Sequence, residues 1–328
     1  MLLRVLARYG LLTIAVVVLN FLLPRALPGD PLGTEAVDGM TLAAGLPAAA
    51  RAQLRDYYGL DQPLLTQAVR YAVSLLRLDL GWSISQNAPV ARLLADRLPW
   101  TLALVFTSTV VAALFGSLIG VWAAWGGGRW GRAVLTATAT LAALPEFLLA
   151  MTLLLIFTVG LQWLPVHGGR TAFAFYPAGL SGALAQVTDI ALHLALPAVA
   201  LVITHSAAFI LLAHGSMAST LREPYLVAAR AKGLTEATVA LRHALPNALR
   251  PLIALFSLRL GLVIGGAVVV ERVFAVPGVG LLAVQAVQAR DYLTMQGIFL
   301  LASLTVLAAS MIADLFYMRF DPAARSAP

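Results

Sequence analysis

The sequence predicts an all-α, polytopic membrane protein with six membrane-spanning helices. Of its 328 residues, 60% are hydrophobic and only 11% are charged, whereas soluble domains carry about 25% charged residues. Long apolar runs recur along the chain, and a membrane-spanning helix needs about 20 such residues. The chain has no cysteine, which excludes a disulfide framework and any thiolate metal site. The polar segments between the runs are therefore the places to look for function.

Six stretches are apolar and long enough to cross a membrane. They lie near residues 9–28, 98–124, 134–161, 190–214, 250–271 and 293–317. Two more apolar segments, 171–188 and 273–288, are broken by Pro or Gly, and we expect them to be re-entrant or surface segments. No small-x-small cleavage site follows the first stretch, so we expect an uncleaved span and not a signal peptide.

The distribution of charge predicts that both termini are cytoplasmic. With both ends on one side, that side carries three acidic residues, Glu223, Glu236 and Asp321, against a larger set of basic ones: Arg4, Arg8, Arg129, Arg132, Arg222, Arg230, Lys232, Arg242, Arg250, Arg319 and Arg325. The opposite side has equal numbers of basic and acidic residues. An excess of Lys and Arg marks the cytoplasmic loops of membrane proteins.

The spans divide the chain into four regions. An N-terminal membrane helix occupies residues 1–28, and an extracytoplasmic region with two predicted amphipathic helices occupies 29–94. A core of five helices covers 95–317, and a cytoplasmic tail covers 318–328. The core contains a polar interruption at 222–249, which we name the bracket.

The bracket has the pattern helix, glycine, helix, proline. Pro224 suits the first turn of a helix, and the helix formers after it end at Gly233, which can take the left-handed conformation of a helix cap. Thr235 can cap a second helix with Glu236 in its first turn, and Pro246 ends or kinks that helix. A basic loop lying on acidic lipid would need neither Gly233 nor Pro246 to end a helix. The pattern therefore favours docking of a protein partner.

Two glycine pairs have the spacing that lets helices approach closely in lipid. They are Gly116 with Gly120 and Gly261 with Gly265. Because the hydrophobic effect no longer drives helix association in lipid, we expect both pairs to serve helix packing.

Other chemistry has weaker support. A phosphate-binding GxxxxGK[ST] loop needs a lysine followed by Ser or Thr, but the only lysine, Lys232, is followed by glycine. The histidines lack metal-site spacing. Glu146, Arg259 and Asp314 are ionisable residues at membrane depth, where such residues are functional candidates. A proton relay and a structural ion pair, with Arg259 joining either carboxylate, both stay open for them.

The bracket resembles the EAA loop of ABC importer permeases, whose pattern is EAA, three residues, Gly, nine residues and I-x-L-P. Ala228 and Ala229 match the motif, Gly233 stands at the required distance, and Leu245 with Pro246 closes it. The stretch "ARAKGL" is typical of the peptide and nickel branch of these importers.

The resemblance extends over nearly the whole chain. Short segments similar to that branch occur in order: "PGDP" at 28–31, "GLDQPL" at 59–64, "LDLGWS" at 78–83, "RLP" at 97–99, "LQWLP" at 161–165, "ERVFAVPGVG" at 271–280, "RDY" at 290–292 and "DLFYMRFDPAAR" at 314–325. The chain departs from the pattern at these positions: Val227 for the motif glutamate, His243 for the isoleucine, Pro224, and Glu146 after Pro145.

The resemblance implies a type I ABC importer permease in a bacterial cell membrane. Such a permease pairs with a second, similar permease, two ATPase subunits and an extracytoplasmic solute-binding protein, and needs no nucleic acid. ATP and Mg bind the ATPase subunits, so we expect no enzymatic activity, cofactor or metal in this chain. The bracket would form the coupling contact with an ATPase subunit through Ala228, Ala229, Arg230, Lys232, Gly233, Thr235, Glu236, His243, Leu245 and Pro246.

The resemblance says less about the extracytoplasmic side of the protein and about its substrate. Residues expected to face the binding protein are Glu271, Pro277, Gly278, Gly280, Arg290 and Asp291. Small peptides are the expected substrate, with nickel or its chelates as the alternative. A proton-coupled carrier using Glu146 and Asp314, and a membrane scaffold that docks a partner without transport, are alternatives of another class.

Overall fold

The computed structural model describes residues 2–26, 49, 62–83, 85–165, 168–263, 265 and 267–320. The helices are α1 (Leu2–Ala26), α2 (Leu64–Leu76), α3 (Val90–Gly126), α4 (Gly128–Ala142), α5 (Glu146–Leu154), α6 (Leu180–Thr220), α7 (Pro224–Ala231), α8 (Glu236–Thr238), α9 (Leu245–Ala248), α10 (Arg250–Gly261), α11 (Val268–Val273), α12 (Val279–Gln288) and α13 (Tyr292–Phe320). Two wider π-helical turns are π1 (Leu155–Gly160) and π2 (Val239–Ala244), and two short strands are β1 (Trp82–Ser83) and β2 (Ala88–Pro89).

The chain forms two compact units, Met1–Pro99 with Gly278–Pro328, and Trp100–Pro277. Four helices in the described residues are long and apolar enough to cross a membrane, namely α1, α3, α6 and α13. The bent pair α4 and α5–π1 makes a fifth candidate if it is one span. The protein is thus a helical membrane protein, as its composition predicts.

In the smaller unit, α1 and α13 pack side by side in opposite directions. The Tyr9 hydroxyl donates a hydrogen bond to Asp314 at 2.9 Å near one end of the pair. Near the other end, Asn20 Nδ2 donates to the Gln296 carbonyl at 3.1 Å, and Gln296 Nε2 donates to the Asn20 carbonyl at 3.0 Å. Polar side chains buried between membrane helices satisfy one another in this way, and these bonds fix the register of the two helices.

The region 29–94, which we expect to be extracytoplasmic, is described only in part. Helix α2 covers the second predicted amphipathic helix and packs against α1. The first predicted amphipathic helix, at 46–60, lies outside the described residues apart from residue 49, as do the "PGDP" segment and the tail from 321 onward.

Helix α6 is the centre of the larger unit, where α4, α5, α9, α10 and α11 all contact it. Helix α3 approaches it through glycine. A Cβ added at Gly116 would lie 2.9 Å from the Phe209 Cβ, and one at Gly120 would overlap the Ile210 carbonyl. The contacts advance together along the two helices, so α3 and α6 run parallel.

The predicted span 134–161 is not one straight helix. Helix α4 ends at Ala142, and α5 with π1 leaves it at an angle of 92°. Pro145 has an extended backbone, with φ −59° and ψ 136°. The proline ring and its missing N–H oppose continuation of α4 through this position. The break places Glu146 at the first position of α5.

Three further boundaries differ from the sequence prediction. The predicted span 250–271 is divided, because α10 ends at Gly261 and α11 begins at Val268. Gly265 therefore lies on no helix with Gly261, and a Cβ there would meet no atom within 4 Å. Within the described part of this chain, Gly265 therefore makes no close helix contact, and its packing role stays a prediction. Helix α6 begins at Leu180 and takes in much of a segment expected to lie outside the spans, while α12 occupies part of the other such segment.

The glycine contact between α3 and α6 leads to a stability prediction. We expect Gly120→Ala to lower the thermal midpoint of the detergent-solubilised protein by several degrees, because the added methyl meets backbone and overpacking costs about 1–3 kcal/mol. Gly215→Ala is the matched control on α6, where a Cβ meets no atom within 4 Å. An equal loss in both variants would contradict the close approach.

Candidate functional site

Three local features, a proline, a glycine and a threonine N-cap, shape the first part of the bracket. Pro224 occupies the first turn of α7, where its missing N–H leaves no bond unmade. Gly233 has φ +81°, a left-handed conformation in which glycine carries no Cβ penalty. Two residues later, the Thr235 hydroxyl accepts a hydrogen bond from the Thr238 N–H at 3.3 Å and caps α8. The turn between the two helices is therefore fixed by one glycine and one N-cap.

The second helix of the bracket widens before Pro246. Residues Val239–Ala244 form π2, and the helix then continues as α9, which contains Pro246. A proline ring crowds the carbonyl four residues earlier and offers no N–H to it. The helix continues through Pro246 into α9, so this proline does not end it. Such π turns are frequent at functional sites.

The inner face of the bracket belongs to the core of the larger unit. It packs against α6 residues Phe209, Ala213 and Met217 through a set of small and apolar side chains: Leu226, Ala229, Val239, Ala240, Ala244 and Ala248. All of these are buried. Alanine at most of these positions brings the bracket backbone close to α6, so the bracket and α6 form one packed body.

Hydrogen bonds join the two arms of the bracket to each other and to α6. Ser216 Oγ on α6 donates to the Ala248 carbonyl at 2.9 Å. Asn247 Nδ2 donates to the Tyr225 hydroxyl at 2.8 Å and to the His243 carbonyl at 3.2 Å, and the Tyr225 hydroxyl donates to that carbonyl at 3.3 Å. These bonds are not predictable from the sequence, because no periodicity or motif spacing connects Tyr225 with Asn247.

The outer face of the bracket exposes large apolar side chains. Val227 is 61% exposed, Leu241 is 53% exposed and Leu234 is 38% exposed. Ala228 and Lys232 beside them are also exposed. A rigid segment that buries one apolar face and exposes another has the form of a protein docking surface.

An ion pair spans the glycine turn. Arg230 Nε donates to Glu236 Oε1 at 2.8 Å, and Arg230 Nη2 donates to Oε2 at 3.3 Å. The pair is bidentate but solvent-exposed, so it contributes at most about 1 kcal/mol. Its main effect is to pair two charges at the turn, while Arg222, Lys232 and Arg242 remain exposed cations of the bracket.

The predicted coupling residues divide by exposure. Ala229 is buried, whereas Arg230, His243 and Leu245 are partly buried. The exposed members are Ala228, Lys232, Gly233, Thr235, Glu236 and Pro246. The motif therefore marks both faces of the bracket: part of it holds the core and part of it is available to a partner.

Glu271 does not face outward as expected. Its side chain is fully buried, and Thr101 Oγ1 donates to its Oε1 at 2.7 Å. Its backbone carbonyl also accepts from the Val276 N–H at 2.9 Å, which closes the turn after α11. The expectation that Glu271 contacts a binding protein is corrected: the carboxylate holds α11 against α3.

Asp291 also serves its own chain. It is buried and accepts hydrogen bonds from Ser83 Oγ at 2.5 Å and Ser85 Oγ at 2.7 Å. Its other oxygen accepts from the Thr294 N–H at 3.2 Å and caps α13. This carboxylate joins the β1–β2 hairpin to the start of α13, so its expected outward role is corrected too. Of the remaining expected contacts, Gly278 and Gly280 are buried, Pro277 is partly buried and Arg290 is exposed.

Asp314 has the partners of a structural carboxylate. Besides the Tyr9 hydroxyl, the Arg8 guanidinium lies 3.6 Å from its Oδ2. Both partners are on α1, so the carboxylate joins α1 to α13. Of the two carboxylates considered for a pair with Arg259, this one is paired with Arg8.

A further polar cluster surrounds Asp189 near the start of α6. Its carboxylate accepts from the Thr171 N–H at 2.8 Å and from the Tyr176 hydroxyl at 2.6 Å, and His193 Nδ1 lies 3.4 Å from it. The hydrogen bond to Asp189 raises the pKa of Tyr176. In the part of the chain that the structure describes, no group of three His, Asp or Glu side chains is arranged to hold a metal ion.

A family model described as the binding-protein-dependent transport system inner membrane component matches residues 116–326. The chain belongs to this family. The glutathione transport system permease protein GsiC of Salmonella paratyphi A is 37% identical over 313 residues, which cover 94% of each chain. GsiC of Escherichia coli K12 is 36% identical over 311 residues, covering 94% of this chain and 93% of the relative. This member of the family is thus an ABC importer permease of a bacterial inner membrane, and the family is a membrane component without catalysis of its own.

The N-cap of the bracket gives a local prediction. We expect Thr235→Ala to make amide hydrogen exchange at 236–239 about fivefold faster, because losing an N-cap oxygen costs about 1 kcal/mol. Thr235→Ser keeps the accepting oxygen and is the control. Unchanged protection in Thr235→Ala, measured by mass spectrometry, would show that the turn is held without this bond.

Proposed function

We propose that this permease is half of the translocation pathway of an ATP-driven importer of small peptides, and that the bracket couples it to an ATPase subunit. The observation that carries the proposal is the two-sided bracket. Its inner face is part of the α6 core, while its outer face exposes Val227, Leu234 and Leu241 among charged side chains. A partner seated on that face would move the bracket and α6 together.

In this proposal the complete assembly has the subunits that are typical of the family. A second permease subunit completes the pathway, two ATPase subunits bind ATP and Mg, and an extracytoplasmic binding protein delivers the solute. In this proposal the chain crosses the bilayer six times, with both termini and the bracket on the cytoplasmic side. The four or five candidate spans support this arrangement, with the α10–α11 segment completing the set.

Coupling requires the ATPase to bind the two positions of the bracket with different affinity. ATP binding would close the ATPase pair and draw the brackets of both permeases together. Because Ser216 and the buried alanines fasten the bracket to α6, the displacement would pass directly into a membrane-spanning helix. The pathway would then change from inward-open to outward-open.

The motif of the family has a glutamate where this chain has Val227, so the expected contact with the ATPase is apolar here. Val227 is exposed on the first arm of the bracket, so the ATPase groove meets an isopropyl group and not a carboxylate. Leu241 on the second arm adds to the same exposed apolar surface. We infer that apolar burial carries the docking energy, with Lys232 and Arg242 at the rim.

Peptides are the substrate class that the relatives favour. GsiC is a glutathione transport permease by name, and glutathione is a tripeptide. No comparable observation favours nickel. The proton-coupled carrier loses its support as well, since Asp314 is held by Arg8 and Tyr9 and the chain belongs to a binding-protein-dependent family.

The glycine turn gives a direct test of coupling. We expect Gly233→Pro to abolish ATP-dependent trialanine uptake by the reconstituted importer, because proline cannot adopt φ +81° and removes the N–H that donates to the Arg230 carbonyl. Gly233→Asn is the control, since asparagine tolerates this conformation. Normal uptake by a membrane-inserted Gly233→Pro variant would refute the coupling role.

The outer face gives a second test, which measures assembly. We expect Leu241→Asp to reduce the ATPase subunit that co-purifies with this chain by about tenfold, because burying an unpaired carboxylate at a contact costs more than 1 kcal/mol. Val287→Asp is the matched control: Val287 is 54% exposed, like Leu241 at 53%, but lies on α12. Equal co-purification of both variants with wild type would place the ATPase elsewhere.

A further inference from the structure

Helix α2 of the smaller unit exposes an apolar stripe. Leu65, Val69, Val73 and Leu76 follow one another at i, i+4, i+8 and i+11, a spacing that places them on one face of a helix. All four are exposed, Leu65 at 78% and Leu76 at 87%. Tyr71, which contacts α1, lies about 150° around the helix from the centre of the stripe. The stripe is therefore on the side of α2 that faces away from α1.

The contact with α1 fixes the depth of α2. Asn20 Nδ2 donates to the Tyr71 hydroxyl at 2.9 Å, and the Phe21 and Tyr71 rings lie 5.7 Å apart between their centroids. Both α1 residues are near the end of the apolar span Val5–Leu22, within about 3 Å of it at 1.5 Å per residue. The middle of α2 is therefore at the level where the apolar span of α1 ends.

A basic edge borders the stripe. Arg70 and the C-cap residue Arg77 are both exposed. They are seven residues apart, which places them nearly in line and about 10 Å apart along the helix, roughly 90–100° around it from the stripe. Neither α2 nor its C-cap contains an acidic residue. An apolar face beside basic side chains is typical of amphipathic helices that lie in the membrane interface.

Leu78 extends the apolar surface in an unfavourable backbone conformation. At the end of α2, the Leu78 N–H donates to the Leu75 carbonyl at 3.0 Å, and the Asp79 N–H donates to the Ser74 carbonyl at 2.9 Å. The left-handed position of such a cap usually holds glycine, but Leu78 has φ +57° there. Its side chain is 80% exposed. Burial within the chain does not explain this leucine, whereas an apolar environment outside the chain does.

Lipid is the occupant that accounts for both the stripe and the basic edge. Beside the contact with α2, α1 exposes Leu19 at 62% and Leu22 at 46%, so the stripe continues the apolar surface of a candidate membrane span. Trp82, 43% exposed, follows the end of α2, and tryptophan is enriched at membrane–water interfaces. An apolar docking surface for a protein gives the two arginines no role, whereas anionic lipid phosphates do.

We propose that α2 is an interfacial helix that binds lipid at the membrane boundary where α1 ends. Its apolar stripe and Leu78 lie among the upper parts of the acyl chains, and Arg70 and Arg77 bind the phosphates of anionic lipids. Through the bond between Asn20 and Tyr71, the helix holds the end of α1 at a fixed depth. The inference goes beyond the proposed function, because it depends on the membrane insertion of α1 and not on what the importer carries.

The test uses the absence of cysteine from this chain. One introduced cysteine carries a bimane fluorophore in the complete importer, whose partner subunits are cysteine-free versions, in phosphatidylcholine–phosphatidylglycerol proteoliposomes. We expect a nitroxide near the headgroup end of the acyl chains to quench the label at Leu65→Cys several-fold more than at Thr66→Cys, and aqueous iodide to do the reverse. Thr66 is the matched control, since it is exposed but lies about 100° around the helix from Leu65.

The basic edge is tested with the label at Val73→Cys, between the two arginines along α2. The quantity measured is quenching by nitroxide-labelled phosphatidylglycerol relative to nitroxide-labelled phosphatidylcholine. We expect Arg70→Gln and Arg77→Gln each to lower this ratio about fivefold, the usual effect of one basic residue near an anionic surface. Arg92→Gln is the control and should leave the ratio unchanged, because Arg92 is exposed but lies 3.9 Å from its own partner Asp96.

Each outcome decides the proposal. A Leu65→Cys label shielded from both lipid nitroxide and iodide lies beneath protein, either a partner subunit or another segment of this chain, and overturns the lipid contact. A label quenched only by iodide faces water and overturns it too. A lipid ratio unchanged in both arginine variants overturns the phosphate contact. None of these results bears on ATP-dependent uptake, which tests the proposed function separately.

Discussion

The close approach of α3 to α6 is the contact on which the larger unit depends. In lipid, apolar side chains gain little by leaving the solvent, so helix association relies on fitted van der Waals contact and interhelical hydrogen bonds. Gly116 and Gly120 remove side chains where the α6 backbone passes. The other helices of the unit, and the inner face of the bracket, pack against the α6 surface that this contact positions.

The bracket takes its shape from two local features of the sequence. A glycine at φ +81° turns the chain, and a threonine caps the next helix. Neither device is strong alone, since each is worth about 1 kcal/mol. Their rigidity comes from the buried alanines beneath them and from the bonds among Tyr225, His243 and Asn247. Local sequence therefore sets the shape of the bracket, and tertiary packing holds it.

Features that depend on neighbouring residues could be predicted from the sequence, and features that depend on distant contacts could not. Composition and apolar run length gave the helical membrane class, and Gly233 and Thr235 gave the turn of the bracket. Run length alone could not show that α10 stops at Gly261 or that α4 breaks before Glu146, because a glycine or proline within an apolar run is compatible with a continuous span or a broken one. The burial of Glu271 and Asp291 depends on Thr101 and Ser83, which are far away in sequence.

The wide turn π2 sets the rotation of the second helical segment of the bracket relative to α9, where that segment is bonded to α6. Each residue of an α-helix turns the chain by about 100°, so one residue more or less redirects every side chain beyond it. With the wide turn in place, Leu241 points to the exposed side while the Ala248 carbonyl meets Ser216. The spacing between the glycine and the proline of the motif is therefore an angular setting as well as a length, and a related chain with a different spacing would present a different face to the same partner.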